Sequence, residues 1–135
     1  MYEYGVKVLR VLDGDTIECE IDLGFNVKKT ETLRLTGVDT PEKNGPTEAE
    51  RTAAHKASIF TASTLLAVSD PTNPLQFKVQ TAKPYDTDKY GRWLGTIFWR
   101  KKLDAPNLWH NHNADLIAGG FAKKYDGGKK EAFGS

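Results

Sequence analysis

Two short acidic stretches of the sequence carry the residue types that bind hard divalent cations. Asp13 and Asp15 flank Gly14 in "VLDGDT", and Asp39 precedes a Thr-Pro pair in "GVDTPEK". Carboxylate and backbone carbonyl oxygens suit a cation such as calcium, which takes about six to eight oxygen ligands and would leave room for water and a substrate phosphate. Each stretch, taken alone, is more typical of a solvated turn than of a metal site, because Asp, Gly and Pro are ordinary turn residues.

Two arginines change this interpretation. Arg34 stands between Leu33 and Leu35 in "TLRLT", so if the leucines fill the core, Arg34 points outward toward the side of the acidic turn. Arg92 follows the polar stretch "DTDKYG". A guanidinium is always charged and forks onto two phosphate oxygens, whereas lysine offers a point charge. The combination indicates a site for a phosphodiester bridged to a metal; the alternative is that each arginine neutralises a neighbouring acid.

Ligands for a softer metal are scarce in the chain. The single cysteine, Cys19, excludes an internal disulfide and a cysteine-rich zinc site. None of the three histidines stands near the acidic stretches. We therefore expect Cys19 to be a small buried apolar residue, and any metal here to be one that prefers oxygen.

The composition is typical of one globular domain without a strong charge bias. The chain has 135 residues, 39% hydrophobic and 27% charged, and a formal net charge of +1, so bulk charge gives no argument for a polyanionic partner. No apolar run approaches the roughly 20 residues of a membrane span. The N-terminal sequence lacks the apolar core of a signal peptide. We expect a monomer that is cytoplasmic, or a mature secreted domain whose signal has been removed.

The hydrophobic pattern predicts the elements that must position these side chains. Apolar residues occupy every second position from 17 to 23, as in a strand with one buried face. Asp13-Gly14 before it tolerates the positive φ of a tight hairpin. Thr47 and Glu50 have the spacing of a capping box, and positions 49, 53, 57, 60 and 64 then form an inward helix face. We predict strands at about 5–12, 16–23, 29–36, 75–81 and 92–99, and helices at about 47–68 and 108–119.

The order of these elements predicts an α+β, mainly β fold. Three strands, a helix, two strands and a helix match the five-stranded Greek-key barrel of the OB-fold, with two flanking helices. We expect one domain over residues 1–125. Residues 126–135 have no periodicity and are predicted to form a short flexible C-terminal tail.

Three motifs in this order resemble the staphylococcal nuclease (thermonuclease) family: "VLDGDT", "LRLTGVDTPE" and "TDKYGR". The resemblance extends from about residue 6 to residue 122 and includes "LIAGGFAKK". It implies a calcium-dependent OB-fold nuclease that cleaves DNA and RNA with little sequence specificity, prefers single-stranded or flexible substrate, and leaves 5′-hydroxyl and 3′-phosphate ends.

The resemblance also implies roles at the metal. Asp15 and Asp39 would be its carboxylate ligands, and Thr40 would add its backbone carbonyl. Asp13 would be an acid near the metal rather than a direct ligand. Glu42 would be the general base, or the group that orients the attacking water.

Roles in binding the substrate follow in the same way. Arg34 and Arg92 match the pair that holds the scissile phosphate and its transition state. Lys89 and Tyr90 match contacts to a neighbouring phosphate, and Tyr125 matches, one residue out of register, a tyrosine that stacks on a base. The stretch after Glu42 is shorter than the family's usual loop, and a third C-terminal helix is largely missing.

Other residues attract attention but are assigned ordinary roles. "WHNHN" contains His110 and His112, for which we expect capping or surface hydrogen bonds rather than a metal. The tryptophans at 93, 99 and 109 could stack on bases, although packing is favoured.

A calcium-dependent nuclease is the main hypothesis. A non-catalytic nucleic-acid-binding OB-fold module and a calcium-binding structural domain are the alternatives.

Overall fold

The computed structural model describes residues 2–66, 75–81, 91–101 and 108–125. The predicted tail, residues 126–135, lies outside these residues. None of the helices in the described ranges combines the length and apolarity needed to cross a membrane. The elements in chain order are β1 Tyr2–Asp13, β2 Thr16–Asp22, β3 Lys28–Leu35, β4 Val38–Asp39, α1 Glu48–Leu65, β5 Leu75–Thr81, β6 Trp93–Lys101, β7 His110–Asn111, α2 His112–Ala118 and β8 Lys123–Lys124.

The five long strands close into a barrel. β1 pairs antiparallel with both β2 and β5, β2 pairs with β3, and β5 pairs with β6. The parallel pairing of β3 with β6 completes the ring, with residues 33–35 beside residues 93–95. This closed five-stranded barrel with two helices confirms the predicted α+β, mainly β OB-fold.

The alternation predicted for β2 is confirmed over most of the strand. Ile17 and Cys19 are fully buried, and Ile21 packs against the core. The prediction for Leu23 was wrong, because that side chain is 44% exposed. The strand ends at Asp22, and the chain turns away through Gly24, whose φ is +81°. Leu23 therefore belongs to the hairpin loop and not to the buried face.

The barrel interior is filled from β3, β5 and β6. Leu33 and Leu35 of β3 are almost completely buried, together with Val79 and Ile97. Because side chains alternate along a strand, Arg34 between the two leucines is on the outer side. The predicted orientation of Arg34 is confirmed.

Helix α1 begins where the capping-box spacing predicts. Thr47 is the N-cap residue, and its Oγ1 accepts a hydrogen bond from the backbone nitrogen of Glu50 at 3.1 Å. The predicted inward face was only partly right: position 57 is buried and position 60 packs against the core, but position 49 is exposed. The buried side chains of α1 are Ala54, Ala57, Thr61 and Leu65.

Helix α2 is shorter than predicted. It starts at His112, because residues 110–111 pair with β6 as β7 and Asn111 then caps the helix, accepting from the backbone nitrogen of Ala114 at 3.0 Å. The predicted stop is confirmed at the glycine pair, where Gly119 is the C-cap and Gly120 has a φ of +79°. Because the predicted first turn of the helix is not formed, His112 lies at the start of α2, where it is buried.

Candidate active site

The turn between β1 and β2 is held against α1. A Cβ atom added at Gly14 would lie 2.8 Å from the Cβ of Ala57 and 3.1 Å from Cγ2 of Thr40. Gly14 is not among the residues with positive φ. The sequence interpretation of this glycine as a residue with positive φ was therefore wrong. It is required by the close approach of the helix, and this contact positions Asp15, the next residue.

Asp15 is the centre of the candidate site. Its side chain is 11% exposed. Oδ1 accepts from the hydroxyl of Thr16 at 3.0 Å, and Oδ2 accepts from the backbone nitrogen of Thr40 at 3.2 Å. Oδ2 is also 3.2 Å from Nη2 of Arg34. The carboxylate is thus fixed by the first residue of β2, by Arg34 of β3 and by the segment that follows β4.

Asp39 lies on the other side of the same guanidinium. Its Oδ1 is 3.7 Å from Nη2 of Arg34, and its side chain is 5% exposed. Arg34 Nη1 donates to the backbone carbonyl of Leu35 at 2.8 Å, which orients the guanidinium. The structure therefore brings together Asp15, Arg34 and Asp39, as their positions in the sequence predict.

The donor set fits a hard divalent cation. Two nearly buried carboxylates, those of Asp15 and Asp39, lie on either side of one guanidinium, and carboxylate oxygens are ligands that a cation such as calcium prefers. The described part of the chain contains no group of three or more His, Cys, Asp or Glu side chains able to hold a metal. A cation here would have two carboxylates and would complete its ligands with carbonyl, water or substrate oxygens.

The other residues predicted to lie at the metal differ in their exposure. Thr40 is 4% exposed, and its backbone nitrogen faces Asp15. Glu42 has an exposed side chain, and its backbone carbonyl accepts from Gly45 at 3.0 Å in the turn before α1. Asp13 forms an ion pair with Lys43 at 3.6 Å. Glu42 is thus exposed to solvent, three residues beyond the buried Asp39.

Arg92 lies just before β6 and is half-buried. In the parallel pairing, Trp93 lies beside Leu33, and position 94 lies beside Arg34. Leu33 faces the barrel interior, and Trp93 packs against the core. Because side chains alternate along a strand, Arg92 projects from the same outer side as Arg34, on the adjacent strand.

The predicted substrate contacts are placed only in part. Lys89 and Tyr90 fall in residues 82–90, outside the described residues. Tyr125 directly follows β8, and its backbone nitrogen donates to the carbonyl of Gly37 at 2.9 Å. Since β8 pairs with β4, Tyr125 stands beside the strand that carries Asp39.

Sequence reasoning missed polar residues that support the site from inside the fold. The side chain of Asn113 donates to the carbonyls of Thr36 and Gly95 at 2.9 and 3.2 Å, and accepts from the backbone nitrogen of Ile97 at 3.2 Å. It thereby joins the end of β3 to β6. The position of Asn113 in a polar run gave no sign of this burial.

The histidines and tryptophans near α2 have packing roles. His112 is fully buried, so the prediction of a surface or capping role for it was wrong. The ring of His110 stacks on Trp99 with centroids 4.2 Å apart. Lys78 Nζ lies 4.4 Å from the ring centre of Trp109. The prediction that these aromatic residues pack is consistent with these contacts.

Cys19 is a buried thiol, as predicted. Burial, with smaller contributions from the nearby Glu31 and Glu18, raises its pKa to about 12. A thiol that stays protonated is neither a nucleophile nor a metal ligand. The chemistry of the site therefore depends on oxygen ligands and guanidinium groups.

Comparisons with known proteins agree with the motifs and the barrel. The family model for staphylococcal nuclease homologues matches residues 32–133. The thermonuclease of Staphylococcus hyicus is 35% identical over 78% of this chain and 58% of its own length. Protein ParB of Escherichia coli is 29% identical over 88% of this chain and 56% of its own.

A third relative, an uncharacterised protein of Methanocaldococcus jannaschii, is 31% identical over 90% of this chain and 59% of its own length. The chain thus spans a little over half the length of each of these relatives. The family match covers most of the chain and includes the segment with Arg34, Asp39 and Arg92. This chain belongs to the family of staphylococcal nuclease homologues.

Proposed function

We propose that this protein is a calcium-dependent nuclease. It hydrolyses phosphodiester bonds of DNA and RNA with little sequence specificity and leaves 5′-hydroxyl and 3′-phosphate ends. The observation that carries the proposal is the cluster of two nearly buried carboxylates, Asp15 and Asp39, around the guanidinium of Arg34. Family membership and the thermonuclease relative support the same reaction class.

One set of residues would bind the metal and activate the attacking water, and a second set would bind the phosphate. Asp15, Asp39 and the carbonyl of Thr40 would hold the cation. Calcium bound there would supply Lewis-acid chemistry, polarising a phosphate oxygen and lowering the pKa of the attacking water. Glu42 orients that water and accepts its proton. A positioned base typically contributes about 10²–10⁴-fold to a rate.

Two arginines stabilise the charge that develops on the phosphate. Attack on a phosphodiester increases the negative charge on the equatorial oxygens, and preplaced cations stabilise it without reorganising. Arg34 is already oriented through Leu35, and Arg92 projects from the adjacent strand. Each guanidinium can bind two phosphate oxygens in a fork. Substrate on this side of the barrel would then meet both arginines and the exposed Glu42.

Contacts further along the strand complete the proposal. Lys89 and Tyr90 would bind a neighbouring phosphate, and Tyr125 would stack on a base. Single-stranded or flexible nucleic acid is the favoured substrate, because an unpaired base is free to stack on an aromatic ring.

Digestion of plasmid and single-stranded DNA with calcium, with magnesium and with a chelator tests the function. We expect cleavage that needs calcium and yields 5′-hydroxyl ends. Glu42→Gln should lower kcat about 10²-fold or more with little change in KM, whereas Glu48→Gln, an exposed acid at the start of α1, should leave both unchanged. Cleavage without calcium would contradict the metal assignment, and binding without cleavage would favour a non-catalytic binding module.

A further inference from the structure

A buried hydrogen-bond chain joins α2 to the turn that carries Asp15. The hydroxyl of Thr61 in α1 donates to the carbonyl of Gly14 at 2.7 Å. The same hydroxyl oxygen lies 3.0 Å from Nε2 of His112 at the start of α2. Both side chains are completely buried. Three segments far apart in the sequence therefore meet through one hydroxyl group.

The direction of each hydrogen bond follows from the groups involved. A carbonyl can only accept, so the single hydroxyl proton of Thr61 is committed to Gly14. The hydroxyl oxygen can then only accept from the imidazole, so Nε2 of His112 must carry a proton. In the neutral ring the other nitrogen, Nδ1, is then unprotonated. The contacts thus assign one tautomer to His112.

The surroundings of His112 favour its neutral form. Nδ1 is buried and forms no hydrogen bond with any of the described residues. The ring stacks on Phe60, with centroids 5.5 Å apart and an angle of 17° between the planes. Burial lowers the pKa of His112 to about 4, because a charged ring would lose its hydration. Near neutral pH, the ring of His112 therefore carries one proton, on Nε2, and donates one hydrogen bond.

Thr61 departs from the usual behaviour of a threonine within a helix. Such hydroxyls commonly bond to the carbonyl four residues earlier, and Thr64 in the same helix does so, donating to Phe60 at 3.0 Å. Thr61 donates across to Gly14 instead. An imidazole N–H pointed at the hydroxyl oxygen favours this rotamer.

Holding the carbonyl of Gly14 also holds Asp15. That carbonyl and the nitrogen of Asp15 belong to one planar peptide unit, so its orientation sets the direction from which the Asp15 side chain starts. The carbonyl of Asp15 is held from the other side by the backbone nitrogen of Leu35, at 2.8 Å. Both peptide units that flank Asp15 are therefore fixed.

We propose that His112 is a positioning residue for the site: through Nε2–H it directs the hydroxyl of Thr61 to the carbonyl of Gly14, and so holds the carboxylate of Asp15 beside Arg34. The inference deepens the proposed function and rests on it where metal binding is concerned. The position of Asp15 can be measured separately, without metal.

The tautomer is tested directly on the wild-type protein. Nitrogen-15 NMR of the imidazole near neutral pH should show a protonated Nε2 and an unprotonated Nδ1 for His112. The opposite tautomer would overturn the proposal, because Thr61 could then not accept from Nε2. This measurement needs neither a variant nor a metal.

Variants test the consequence for the site. Thr61→Val and His112→Leu remove the hydroxyl and the donor, and calorimetric titration should show calcium affinity lowered about 10-fold or more, as for other groups that orient metal ligands. Thr61→Ser keeps the hydroxyl and should bind almost as the wild type does. The matched control is Thr81→Val, since Thr81 is buried and its hydroxyl bonds to none of the described residues.

The amide resonance of Thr40 separates the two proposals, because that N–H donates to the carboxylate of Asp15. Without metal, it should shift in Thr61→Val and His112→Leu but not in Thr81→Val. Folded variants with an unchanged resonance and calcium affinity would overturn the role of His112. Failure of the wild-type protein to bind calcium would instead count against the proposed function.

Discussion

The substitution Gly14→Ala tests the contact between α1 and the turn that carries Asp15. The added Cβ would lie 2.8 Å from the Cβ of Ala57 and 3.1 Å from its carbonyl carbon. Both atoms belong to a helix held along its length, so they cannot move aside as the end of a long side chain would. Overpacking of this kind costs about 1–3 kcal/mol, offset by about 0.4–1 kcal/mol from the lower entropy of the unfolded chain.

We therefore expect Gly14→Ala to lower the free energy of unfolding by about 1–2 kcal/mol. Gly5→Ala is the matched control. It lies in β1, the strand that leads into the turn, has no positive φ, and its added Cβ would meet no heavy atom within 4 Å among the described residues. Replacing glycine by alanine lowers the conformational entropy of the unfolded chain here as well. Gly5→Ala should therefore be neutral or stabilising by about 0.5–1 kcal/mol.

Urea unfolding of the three proteins measures these differences from the midpoint and slope of each curve. A calcium titration should also show weaker binding by Gly14→Ala alone, because the displaced turn moves Asp15. Equal stability and equal calcium affinity of the two variants would refute the close approach of α1 to the turn.

Two further substitutions and one change of pH have expected outcomes. Arg34→Lys should lower the free energy of unfolding by about 1–3 kcal/mol, because an ammonium cannot keep the guanidinium's contacts to a carboxylate and a backbone carbonyl together; the surface change Arg10→Lys should have almost no effect in the same denaturant assay. His112 has a pKa of about 4 when folded against 6.5 when unfolded, so its stabilising contribution is complete above pH 6.5 and is lost as the pH falls to about 4. At about 1.4 kcal/mol for each pH unit this amounts to about 3 kcal/mol, measurable by unfolding across that range and absent in His112→Gln. Thr47→Ala should cost about 1 kcal/mol of helix stability through loss of the N-cap, whereas Thr52→Ala in the exposed middle of α1 should not, and thermal unfolding would compare the two.

The strands could be predicted from the sequence because one buried face imposes a period of two. The predicted bounds of β5 are the observed ones, and the prediction for β2 was too long by one residue, Leu23. The start of α2 could not be predicted in the same way. The pairing of β7 with β6 is a tertiary interaction, and it overrides a run of residues that could equally have been helical.

The charged residues of the site were easier to predict than their supports. Asp15 immediately precedes β2 and Arg34 lies on β3, and these two strands are neighbours in the sequence as well as in space, so the approach of the two residues follows from the meander. The hydroxyl of Thr61 and the amide of Asn113 bond to backbone groups far along the chain. A polar residue on a helix is ordinarily read as exposed, and nothing local distinguishes one that is buried against a distant turn.

The parallel pairing of β3 with β6 has a consequence for the folding of this chain. It joins residues 33–35 to residues 93–95, and the helix and a whole strand intervene between them. Contacts this distant carry a large loop-closure cost and are typically late to form. The hairpins that hold Asp15 and Arg34 can assemble locally, but Arg92 joins their face only when the ring closes. A chain interrupted before β6 would contain the residues of the acidic half of the candidate site and lack Arg92, so completion of the barrel and completion of the proposed phosphate-binding face are one event.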